Sequence, residues 1–250
     1  MSTQGRQSRA QVSLARALSK FGFASRSAAV VMIRDGRVQV DGRVERNPNR
    51  WLDPRAAHIA VDGARLMAAD HRYLAMHKPA GYVTTSSDER GRDTVYALLP
   101  HDLPWVFPVG RLDKDTSGLL FFTNDVRWGE LISGPSHRIT KTYAVTVERP
   151  VADADLEVMR RGMTLEDGTV LLPVQAERMA GDGKTIVLTL LQGKNRQVRR
   201  MLEYFRYDVT GLVRTAIGPI TLTGLAPGKT RVVTPSERQK LEASTSKATL

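Results

Sequence analysis

The run Gly110-Arg111-Leu112-Asp113-Lys114-Asp115-Thr116-Ser117-Gly118 sets carboxylates among cations and small residues. It lies between the apolar runs 105–109 and 119–122, so it is expected to be a loop at the edge of a core, where catalytic groups concentrate. The positive charge of Arg111 and Lys114 favours an ionised Asp113, a candidate for nucleophilic or acid–base chemistry. The same spacing equally describes Asp113 and Asp115 as caps of turns. A second run, Gln192-Gly193-Lys194-Asn195-Arg196-Gln197-Val198-Arg199-Arg200-Met201, opens a predicted helix over 195–205. At about 100° per residue, Arg196, Arg199 and Arg200 fall on one face and Val198, Met201, Leu202 and Phe205 on the other. Such a helix packs on a core and offers three guanidiniums, whose planar fork suits phosphate or carboxylate. A solvated charged face has the same pattern.

The elements that must position these groups fall into two textures. Helices are expected over 12–20 and from an N-cap at Ser25 to Arg34, followed by a hairpin turning at Asp41-Gly42. These make a compact unit over 12–70, preceded by a flexible stretch 1–11. From Arg72 short strands are expected at 73–77, 118–123, 142–147, 185–191 and 217–222. Helices are expected at 94–99, 127–132, 153–161 and 195–205. Consecutive strands are not all separated by helices, so the class is α+β with a mixed, largely antiparallel sheet over 71–235. The polar stretch 236–250 is expected to be a mobile tail.

Composition narrows the chemistry. The 250-residue chain has no cysteine, which excludes a disulfide framework, a thiolate metal site and a cysteine nucleophile. The histidines His58, His71, His77, His101 and His137 form no ligand-spaced pair. No metal or cofactor is expected. No apolar run approaches the roughly 20 residues of a membrane span. The first ten residues lack the apolar core of a secretory signal. A cytoplasmic protein with no membrane partner is expected. The formal charge of +11 points to a polyanionic partner, most simply nucleic acid. Residues 1–70 are the denser positive body, with 12 Lys/Arg against 6 Asp/Glu.

Several motifs, in order, resemble one family. Gly110-Arg111-Leu112-Asp113 followed by Thr116-Ser117-Gly118 resembles the signature of bacterial rRNA pseudouridine synthases. Gly193-Lys194-Asn195-Arg196-Gln197-Val198-Arg199-Arg200-Met201 resembles the third motif of the RsuA/RluB/RluF type. Lys78-Pro79-Ala80-Gly81 resembles the first motif, and Lys141-Thr142-Tyr143-Ala144-Val145 the strand carrying the active-site tyrosine. Ala24-Ser25-Arg26-Ser27-Ala28 and Gly36 to Gly42 are similar to an S4 RNA-binding domain. The resemblance covers about residues 12–235.

It implies a cofactor-independent enzyme that isomerises a specific uridine of ribosomal RNA to pseudouridine. Asp113 then attacks C1′ as a nucleophile or takes the C2′ proton to give a glycal. Arg199 is implied as its guanidinium partner, and Tyr143 as the ring that stacks on the target base. Outside the motif, Tyr143 reads as an ordinary strand tyrosine. Arg111 is implied to hold the extruded nucleotide. Lys78 reads as an RNA phosphate contact or a structural pair, and Arg196 and Arg200 as RNA contacts. In the S4-like unit Arg16, Lys20, Arg26, Arg34 and Arg37, with Arg43 and Arg46, are expected to grip phosphates. Residues 191–197 and 203–205 look closer to the large-subunit RluF branch than to the small-subunit 16S branch. A monomer acting on free rRNA or a pre-ribosomal particle is expected. The rivals are an S4-anchored ribosome assembly factor without activity, and a methyltransferase, for which no glycine-rich cofactor loop is present. Arg206 stands where the family pattern has a glycine after the helix, which adds about 1 kcal/mol of strain if φ is positive there.

Overall fold

The computed structural model describes residues 11–181 and 183–246. The chain divides into two compact units. The first holds the described residues up to Arg72 together with Pro100–Phe107 and Asn124–Val126. Ser13 and Ser25 cap its helices α1 (Leu14–Lys20) and α2 (Arg26–Arg34), each side chain accepting from a backbone N–H three residues on. The first helix starts later than its sequence pattern suggests, because Val12–Ser13 pairs with Trp51–Leu52 as a short ribbon. Leu14, Leu18, Ala29 and Ile33 pack on Val38, Val40, Ile59 and Val61 of a four-stranded antiparallel sheet. The unit runs beyond the expected boundary at residue 70. Trp105 donates its backbone N–H to the Gly22 carbonyl at 2.7 Å, and Asn124 donates to Asp70 and accepts from Arg72.

The second unit is built on a nine-stranded sheet. Its long path uses β1 (Tyr73–Lys78), β2 (Ser117–Thr123), β3 (Lys141–Val147), β4 (Gln175–Arg178), β5 (Thr185–Leu190), β6 (Val209–Ile217) and β7 (Thr230–Val232). The spatial order is β4-β5-β3-β6-β2-β1-β7. Every pairing along this path is antiparallel except β6 with β2. The α+β, largely antiparallel reading holds. One hydrophobic cluster joins the sheet to α4 (Asp153–Arg161) and α5 (Gln197–Tyr204) through Leu156, Met159, Met201 and Leu202. A second joins it to α3 (Val126–Ser133) and α6 (Pro235–Ser246) through Trp128, Ile132 and Leu241.

Three expectations change. The strand expected over 217–222 is the end of β6 and a short return strand, Ile220–Thr221; Val209–Ile217 itself went unread. The segment 94–99 forms only a 3₁₀ turn, Val95–Leu98. The expected tail is helical as far as Ser246, because Leu241 is fully buried in the second cluster. Residues 247–250, and 1–10 of the stretch expected to be flexible, lie outside the described residues.

Arg206 has φ of +58°, in the left-handed region where a side chain is unfavourable. It closes α5 in a Schellman arrangement: its N–H donates to the Glu203 carbonyl at 2.8 Å and that of Tyr207 to Leu202 at 3.0 Å. Arg206→Gly keeps these main-chain bonds and removes the clash. It is expected to stabilise the protein by about 1 kcal/mol, raising the melting temperature by roughly 2–4 °C. Thermal unfolding of both proteins checks this; an unchanged or lower midpoint refutes it.

Candidate active site

The loop that carries Asp113 is held by its own backbone. Five consecutive carbonyls, from Leu112 to Thr116, each accept a hydrogen bond. Thr84 Oγ1 donates to Leu112 at 2.8 Å. Lys78 Nζ donates to Asp113 at 3.1 Å, Lys114 at 3.2 Å and Thr116 at 2.7 Å, and to Pro79 at 3.0 Å. Arg199 Nη2 donates to Asp115 at 3.0 Å. A tight turn, Thr116 N–H to the Asp113 carbonyl at 3.1 Å, presents the carboxylate outward.

This corrects the reading of Lys78 as an RNA contact. Its side chain has no exposed surface, and the end of β1 aims it under the loop. Burial pushes its pKa down to about 8; Asp115 and Asp113 oppose the shift, while Arg214 adds to it.

The three arginines of the second motif go to three places. Arg196 lies outside α5 as its N-cap, with φ of +48°, so the shared helical face is not formed. Its Nη1 stands 3.8 Å from the Asp113 carboxylate. Arg199, the implied partner, instead holds the loop carbonyl and lies within 3.5 Å of the Val209 carbonyl. Arg200 donates to Asp167 at 2.5 Å and to Thr169, and it does not line the cleft, so the structure does not bring it to Asp113. The helix does bury Val198, Met201 and Leu202 as expected, and Gln197 with them.

Asp113 opens on a cleft of about 680 Å³. Arg111, Tyr143, Arg196 and Arg199 share its wall, with Lys141 and Arg214, which sequence reasoning did not single out. Tyr143 is half-buried on β3, where it packs against the first cluster and faces Arg214 of β6 across the strands. Arg111 is exposed at the cleft. Among the described residues no group of three or more His, Asp or Glu could hold a metal ion.

In the first unit, Arg16, Lys20, Arg26 and Arg34 are exposed. Arg37 differs from them. Its fork is bidentate on Asp62, with Nε to Oδ1 at 2.9 Å and Nη2 to Oδ2 at 2.6 Å, so a phosphate contact by Arg37 has to compete with this exposed ion pair. Arg46 is likewise engaged, donating to the Arg34 carbonyl at 2.7 Å at the end of α2.

Residues 72–204 match the RNA pseudouridylate synthase family model, and residues 12–54 match the S4 domain. An RNA pseudouridine synthase of Mycobacterium tuberculosis is 41% identical over 231 residues, covering 90% of this chain and 91% of that protein. The ribosomal large subunit pseudouridine synthase B of Bacillus subtilis is 33% identical, covering 92% and 95%. A crystal structure of a pseudouridylate synthase superposes with a TM-score of 0.68 at 29% identity, covering 92% of this chain and 99% of that one.

Lys78→Met keeps the bulk and removes every loop bond that the ammonium makes. The Asp113 and Lys114 carbonyls keep the N–H groups of Thr116 and Gly81, but those of Thr116 and Pro79 lose their donor; at about 1–3 kcal/mol each, a loss of roughly 3 kcal/mol in urea unfolding is expected. A second signature is expected against pH. Between pH 8 and the ordinary lysine value, the unfolded chain holds a proton that the folded chain has released, so folded stability rises with pH. That rise should be smaller in Lys78→Met than in wild type; equal rises would refute the depressed lysine.

Proposed function

The chain belongs to the RNA pseudouridine synthase family, and from that premise we propose that it isomerises a specific uridine of ribosomal RNA to pseudouridine, with a large-subunit target. The observation that carries this reading is the Asp113 carboxylate, fixed by its own main chain and open to a cleft that also holds Tyr143. The reaction breaks the N1–C1′ bond, turns the base and rejoins it through C5. It needs one carboxylate beside the sugar, because the base never leaves and no water has to be activated. Asp113 serves either by attack at C1′ or by removal of the C2′ proton. Arg196 is placed to hold that carboxylate, with Arg199 positioning the loop behind it. Tyr143 offers a ring to the base, and exposed Arg111 a cation to the flanking backbone. Arg16, Lys20, Arg26 and Arg34 supply phosphate contacts. The protein works as a monomer.

The relatives bearing a subunit name support the large-subunit target and point to the B type rather than the F type. Mapping pseudouridines in 23S and 16S rRNA from cells with and without the gene tests the target. A missing pseudouridine in 23S rRNA is expected; a missing one in 16S rRNA overturns the subunit assignment.

Asp113→Asn is expected to abolish product while RNA affinity stays within a few-fold. Retained turnover would remove the enzymatic role of Asp113. Arg196→Lys keeps charge but loses the fork, so its single-turnover rate at saturating RNA should fall about tenfold. A full-rate Arg196→Lys would return the partnership to Arg199.

Replacing Arg16, Lys20, Arg26 and Arg34 together by Gln should flatten the dependence of log affinity on log salt, by about 0.7–0.9 for each phosphate that is no longer neutralised. An unchanged slope would count against this surface as the RNA grip.

A further inference from the structure

The cleft holds two recessed cations that no carboxylate neutralises. Lys141 and Tyr143 are two residues apart on β3, so both point to the same side of the sheet. Arg214 of β6 is the cross-strand partner of Tyr143. Only 4% of Arg214 is exposed. Its Nε donates to the Leu119 carbonyl at 2.7 Å, while its Nη2 is buried with no partner. Gly118 makes this placement possible. A Cβ there would lie 2.3 Å from the Arg214 carbonyl oxygen, so only glycine lets β2 and β6 approach so closely. Lys141 is half-buried; burial first, and Arg214 second, push its pKa down to about 8. Among the described residues neither cation forms an ion pair. A buried charge without a partner is costly, and it is retained where a ligand brings the opposite charge.

The reaction creates such a ligand. When N1–C1′ breaks, the bonding electrons leave with N1, and the detached uracil is a monoanion whose charge spreads onto O2 and O4. We propose that Lys141 Nζ and Arg214 Nη2 bind the detached uracil anion through its carbonyl oxygens, lowering the barrier to N1–C1′ cleavage and holding the base while it turns. The sugar carbon left electron-poor is captured by Asp113, or loses its C2′ proton to it; the anion site serves either route. When C5 has bonded to C1′, its proton leaves and N1 takes one up, so the base is again neutral and atoms balance. This proposal rests on the pseudouridine synthase reading. It assigns to Lys141 and Arg214 stabilisation of charge that develops only as the bond breaks, which acts on rate rather than on binding.

The test uses the full chain and an rRNA fragment carrying the target uridine. Lys141→Met should lower the single-turnover rate at saturating RNA at least tenfold, with RNA affinity within twofold of wild type. Lys141→Arg should restore most of that rate, and Arg214→Lys should lower it. If Lys141→Met does not fold, Lys141→Gln is measured instead. The decisive comparison places 6-azauridine at the target. Its detached base is a more stable anion that keeps C5–H, so the loss in Lys141→Met should shrink to a few-fold. An equal loss with both substrates, a loss confined to affinity, or no loss overturns the anion site. Wild type that makes no pseudouridine overturns the functional reading itself; wild type that makes it beside an unaffected Lys141→Met overturns only the anion site.

Discussion

Lys78 solves a problem that the Asp113 loop creates. A short polar loop lying against a sheet has carbonyls facing inward, and buried carbonyls without donors are expensive. One ammonium, delivered by the end of β1 opposite Gly118 of β2, supplies donors to three of them and to Pro79. Thr84 and Arg199 cover the remaining two, Leu112 and Asp115. The result is a carboxylate whose position is set by main-chain bonds and not by its own side chain, which stays free for chemistry. The hydrogen bonds reach only the carbonyls of Lys114 and Asp115, while the Asp115 carboxylate acts on the loop through its charge, which favours the protonated Lys78.

Charge in the cleft is divided by function. Arg196, in a left-handed conformation before α5, is near enough to balance Asp113. Arg199, inside the helix, supports the loop. Arg200, one residue further round, is turned to Asp167. Three side chains of one type within five residues therefore do different work, and the backbone decides which does what. Lys141 and Arg214, with Arg111 and Lys194 nearer the solvent, make up the surplus that gives the wall of the site its positive sign.

Much of this was legible in the residues. The Asp113 loop, Asp153–Arg161 and the apolar side of α5 follow from local spacing, which period and caps report directly. Other features depend on distant partners. Val209–Ile217 carries a glycine and a buried arginine, a poor strand pattern redeemed by neighbours on both sides. The helix Pro235–Ser246 has little apolar character beyond Leu241, whose burial needs the second cluster. The helical wheel misplaced Arg196 because it assumed that the helix had already begun there. The burial of Lys78 could not be read at all, since a lysine is normally a surface residue and only its four carbonyls explain it.

The parallel pairing of β6 with β2 has a consequence in time. Ser117 and Gly118 align with Val213 and Arg214, nearly a hundred residues later in the chain. Contacts that distant form slowly, because a long loop must close before they contribute. Asp113 and Tyr143 are synthesised well before the strand that supplies Arg214. During synthesis the strands on both sides of β6 therefore emerge before the strand that joins them, and a chain cut short of Val209 lacks both that link in the sheet and the β6 wall of the cleft.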